Sequence, residues 1–146
     1  MLDLWPADIS HSRMRAPVTI LKEQALLLDD KTKGVITASV KRLVDDDKEK
    51  NITDNNLFQY EFFIIAPSLA DFHYRLFTIS HGIELYPIDI KFDEYSKHDF
   101  ADNNNEERHV SSERDFIDAL RIIFTSKKTR KVIHAMLAQS AEVDIQ

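Results

Sequence analysis

The sequence predicts an α+β fold: a four-stranded antiparallel β-meander preceded by one helix and followed by two C-terminal helices. Three observations predict it. Apolar residues recur at helical spacing near the start and end of the chain, the middle carries β-branched and aromatic runs with a two-residue period, and strands and helices do not alternate as a parallel sheet would require. At 146 residues, one domain spanning 1–146 with one shared core is expected.

Pro17 suits the first turn of a helix, Val18, Leu21, Ala25 and Leu28 follow at helical spacing, and Gly34 stands beyond as a stop. The first helix is therefore placed over about 16–30. From Val35 to Val44 the apolar Ile36, Ala38, Val40 and Val44 alternate with Thr37, Ser39 and Lys41, the pattern of a strand with one buried face. After a polar, acidic stretch, Leu57 to Ala66 is rich in strand-forming residues. Pro67-Ser68 opens a connection to a third strand at 72–80, and His81-Gly82 marks a turn into a fourth at 83–92. Residues 93–110 read as a mobile surface loop. Ser112 with Asp115 reads as a capping box, ahead of a stripe of Phe116, Ile117, Leu120, Ile123 and Phe124. Ser126 restarts a helix that buries Val132, Ile133, Met136 and Leu137.

Composition narrows the function classes. Hydrophobic residues make up 43% and charged residues 30%, enough apolar content for a packed interior. The absence of cysteine excludes disulfides, thiolate metal sites and cysteine nucleophiles. Two glycines leave too little material for a glycine-rich phosphate cradle, which argues against Rossmann and P-loop chemistry. The N-terminal residues lack the pattern of a secretory signal, and no apolar run approaches bilayer length, so a cytoplasmic protein without membrane contact is expected. A net charge of −6 disfavours nucleic acid and favours a basic partner over an acidic one.

Strand register brings the first candidate site together. Pairing Ala66 with Phe72 sets Glu61 opposite Phe77 and Phe63 opposite Arg75, and puts Glu61, His73 and Arg75 on one face. Glu61 and Arg75 are then diagonal neighbours within reach of a salt bridge. Either they form the wet margin of the sheet, or His73 acts as an acid or base, with Arg75 holding an anionic substrate and Glu61 orienting the imidazole. The same register gives the sheet two apolar faces, one with Phe58, Tyr60, Phe62, Ile64, Tyr74 and Leu76, the other with Phe63, Ile65, Phe77, Ile79, Tyr86, Ile88 and Ile90. If the helices pack on one face, Phe77, Ile79, Tyr86 and Ile88 become an apolar interface for a protein partner or a second copy.

The run Lys127, Lys128, Arg130 and Lys131 is the dense basic segment of the chain. It lies mid-helix if the last two helices are continuous; otherwise positive charge meets the positive end of a helix dipole and is offset by an acidic partner or a nucleic-acid phosphate. No aromatic residues are interleaved to stack on bases. A metal site is not expected, because His73 and His81 stand about 26 Å apart along one strand and the other histidines lack ligand spacings. The acidic segment around Asp45-Asp46-Asp47 lacks the glycine and the terminal glutamate of a calcium loop. Asp8, Ser10 and His11 supply no triad geometry. No cofactor is expected. The reading that collects these points is a non-enzymatic binding or regulatory protein, of inhibitor, immunity or accessory-subunit type. The alternatives are a small enzyme using His73 and a nucleic-acid binder using the basic run.

Overall fold

A computed structural model describes residues 1–43, 57–92 and 107–144. The element order is α1 (Pro17–Lys31), β1 (Thr37–Leu43), β2 (Phe58–Ala66), β3 (Phe72–His81), β4 (Ile88–Phe92), β5 (Glu107–Val110), α2 (Glu113–Thr125) and α3 (Lys127–Asp144). The fold is α+β, as the pattern of the sequence predicts. Among the described residues the sheet has five strands rather than four, in the order β1-β2-β3-β4-β5, all antiparallel, and it is open. The added strand, β5, takes the last four residues of the segment read as a loop. Its sequence, Glu-Arg-His-Val, holds one apolar residue and so carries no alternation of its own. Residues 93–106 of that segment, like the acidic stretch 44–56, lie outside the described residues.

Local chemistry accounts for the element ends. Pro17 opens α1, and Gly34, at φ 79°, donates its backbone N–H to the Asp29 carbonyl at 2.9 Å beyond the last turn. Ser112 Oγ accepts the backbone N–H of Asp115 at 3.1 Å and caps α2. Ser126 is extended, with ψ 154°, so α2 and α3 are separate helices. Its Oγ accepts the N–H of Thr129 at 3.1 Å and caps α3 in a buried position.

One irregularity decides how the sheet is covered. From Ala66↔Phe72 to Phe63↔Arg75 the β2–β3 register is the one expected, but Phe62 then faces Phe77 and Leu76 is left without a partner. This β-bulge sets Leu76 and Phe77, adjacent in sequence and 1% and 0% exposed, both into the core. Beyond the bulge the phase of β3 is inverted, so Phe77 and Ile79 join Phe62, Tyr60 and Ile64 instead of opposing them. Continuing the register, Ile79 meets Ile90, and His81 meets Ile88, which meets Val110. Most apolar side chains, Phe63 and Ile65 apart, therefore lie on one face, under α1, α2 and α3, in a core that includes Leu21, Phe62, Phe77, Ile79, Ile90, Phe116 and Ile123.

The other face carries Thr37, Ser39 and Lys41 of β1, Gln59, Glu61, Phe63 and Ile65 of β2, His73, Arg75, Thr78 and Ser80 of β3, and the charged pairs of β4 and β5. Two apolar faces were expected, and the bulge corrects this to one. The turn at His81-Gly82 is also longer than a hairpin of two residues. It runs to a cis Tyr86–Pro87 peptide, and β4 begins at Ile88.

Candidate functional site

On the polar face, Arg75 Nη1 donates to Glu61 Oε2 at 3.0 Å, the pair the register called for. The Glu61 side chain is 11% exposed and that of Arg75 is 55% exposed, so the ion pair is open to solvent on one side. His73 does not join it. Its Nδ1 is hydrogen-bonded to the Asp71 carbonyl, and its ring meets the edge of Phe63 at 5.8 Å. It pairs with Ile65, four residues from Glu61 and so about 13 Å along the strand. The arrangement of Glu61 orienting His73 is thus not assembled, because strand rise separates the two. Two further cross-strand pairs, His109 with Asp89 at 2.6 Å and Lys91 with Glu107 at 3.5 Å, continue a charged surface of the solvated kind.

The apolar interface expected from Phe77, Ile79, Tyr86 and Ile88 requires correction. Phe77, Ile79 and Ile88 are each 0% exposed beneath the helices, because the bulge turned β3 over. Tyr86 is a tether instead. Its hydroxyl donates to the Arg15 carbonyl at 3.2 Å, its ring packs edge-on to Phe116, and the Arg15 N–H donates to Glu113 Oε1 at 3.1 Å. Burial, with the Glu113 carboxylate adding and Arg15 opposing, pushes the phenol up to about 12.

Lys127, Lys128, Arg130 and Lys131 lie in the first turn and a half of α3, beyond the break at Ser126. Lys127, Arg130 and Lys131 are exposed, while Thr129 between them is buried. His73 and His81 are on opposite faces as well as far apart. Among the described residues no three His, Asp or Glu side chains form a group that could hold a metal ion. No described helix is long and apolar enough to cross a membrane.

The helix layer supplies the feature that sequence reasoning missed. α1 packs over β1, while α2 and α3 pack nearer the other strands, and the two parts do not close. Between them runs a groove with two adjoining cavities. A cavity of 340 Å³ is walled by Leu27, Leu28 and Lys31 of α1 and by Phe124, Thr129 and Ile133, with Phe62, Ile64 and Leu76 as its floor. A second cavity of 380 Å³ continues toward the start of α1 between Ile20 and Glu23 on one side and Ile117 and Leu120 on the other. The two share Gln24, Phe124 and Thr125. A signal for it was present in Leu26-Leu27-Leu28. At 100° per residue three consecutive leucines cannot all face the core, and Leu26 and Leu27 are 71% and 47% exposed. Comparison with protein-family models, with curated proteins and with solved structures finds no match.

Proposed function

We propose that the chain is a non-enzymatic protein-binding module and that its binding site is the groove between α1 and the α2–α3 pair. The observation that carries this reading is the cavity between the helices, floored by the buried Phe62, Ile64 and Leu76 and with the half-exposed Leu27 on its wall. An open furrow over a dry sheet suits large apolar side chains of a partner, which is how an elongated groove between helices takes up a peptide segment. At 340 Å³ the cavity over Phe62, Ile64 and Leu76 stands at the small end of pockets that bury a ligand, roughly 300–1,000 Å³. That volume fits one or two side chains better than a cofactor. The solvated ion pairs of the polar face, and the separation of His73 from Glu61, give the enzymatic alternative no comparable support.

The test is site-specific photocrosslinking in cells of the source. A photoreactive residue at position 27, in the groove wall, is expected to give a discrete protein adduct that the same group at position 91, on the polar face, does not. Equal labelling from both positions, or none from position 27, would count against the groove as the site.

A further inference from the structure

Residues 1–15 are all exposed. Within this segment Leu2, Leu4, Trp5 and Ile9 stand 82%, 83%, 73% and 63% exposed, a concentration of large apolar side chains in water that marks an interaction surface. Among the described residues every hydrogen bond from Met1 to Met14 is local: Trp5 N–H to Asp3 Oδ1 at 3.0 Å, Ile9 N–H to the Pro6 carbonyl, His11 N–H to the Asp8 carbonyl, and Ser12 with Met14. Among the described residues the segment is rooted at Arg15, by Tyr86, Glu113 and Glu23. The molecule thus holds an uncovered apolar arm and an unfilled apolar groove at the same time.

We propose that the groove of one copy takes up the N-terminal arm of a second, with Leu4 and Trp5 seated over Phe62, Ile64 and Leu76. This rests on the groove being the binding site and names its partner. One charge pairing fits the match: Asp3 adjoins the Leu4-Trp5 pair, and Lys31 stands on the groove wall with no ion pair among the described residues. The hydrogen bond from Trp5 N–H to Asp3 holds the Asp3-Leu4-Trp5 turn in shape before docking, which lowers the ordering cost. Each copy has one arm and one groove, so reciprocal exchange closes a two-fold dimer.

Trp5 is the single tryptophan, and its emission reports the environment of the arm directly. With the full chain, light scattering and tryptophan emission are followed over a wide concentration range. The expected result is a monomer-to-dimer transition accompanied by a shift of emission to shorter wavelength. Leu27→Asp, at a half-exposed position, and Trp5→Ala each weaken dimerisation about tenfold or more, as for a buried aromatic anchor and its pocket. Adding the Trp5→Ala protein, whose groove is intact, to the Leu27→Asp protein, whose arm is intact, shifts the emission of the latter. Three results would overturn the proposal. Short-wavelength emission independent of concentration means that the arm closes on its own chain. A dimer sensitive to Leu27→Asp and indifferent to Trp5→Ala leaves the groove as the site and removes the arm as its occupant. A monomer with water-exposed Trp5 at every concentration removes the arm and leaves the groove to the crosslinking test.

Discussion

At the scale of single residues, His81 has the most constrained chemistry. It is 3% exposed, stacked on Phe58 at 5.4 Å and near Tyr60 at 6.1 Å, with Arg42 on the Phe58 ring. Its Nδ1–H donates to the Gly82 carbonyl at 2.7 Å, which leaves the lone pair on Nε2, a buried atom without a hydrogen-bond partner among the described residues. Desolvation lowers its pKa below 6.5, outweighing the Gly82 carbonyl, which acts in the opposite sense. The unfolded chain therefore binds the proton more readily than the folded one. The stability this contributes is complete above about 6.5, the unfolded value, and is lost as pH falls below it. Carboxylates titrate in the same acid range, so the comparison is with His81→Phe, which keeps a ring in the stack. Urea midpoints at pH 7.5 and 5.5 are expected to fall further for the native sequence than for the variant. Equal falls would assign the acid sensitivity to other groups.

Among the elements, α3 depends on the residue that caps its start, Ser126. Four basic residues in the first turn and a half of a helix oppose its dipole, and the buried Ser126 offsets this by accepting the Thr129 N–H. The same Oγ lies 3.1 Å from Thr129 Oγ1, and Thr129 is 1% exposed. Ser126→Ala therefore removes a cap and strands a buried hydroxyl, at a cost of about 1–2 kcal/mol. Ser112→Ala, an exposed cap on an element with acidic residues in its first turn, is expected to cost less, about 0.5–1 kcal/mol. Denaturant unfolding of the two variants gives the order, and a reversal would contradict the assignment of Ser126 as the cap of α3. Both serines were legible as helix starts because capping is local. The buried hydroxyl pair was not, since burial of the Ser126 corner depends on how α3 lies against the sheet.

For the whole molecule, the decisive fact is that one sheet face is dry and the other wet. Ile64 and Ile65 are adjacent and chemically identical, yet Ile64 is 1% exposed on the floor of the groove and Ile65 faces the polar side beside Thr37 and His73. Ile64→Ala is expected to cost about 2–5 kcal/mol and Ile65→Thr within about 1 kcal/mol, read as shifts in denaturation midpoint. The sequence by itself determined the α+β class, the helices, four of the strands, the Ala66–Phe72 pairing and the Glu61–Arg75 contact. All of these follow from short-range periodicity, capping and the parity of a paired strand. β5 was invisible because its four residues hold a single apolar position and gain their place only by pairing with β4. The bulge was half legible: Leu76-Phe77 breaks the alternation of β3, but whether such a break ends a strand or bends it depends on the strand alongside. Only the tertiary structure decided that break, and with it the fate of Phe77, Ile79 and Ile88. Inversion of one strand moves every later side chain to the opposite face, and the face that wins is the one the helices can keep from water.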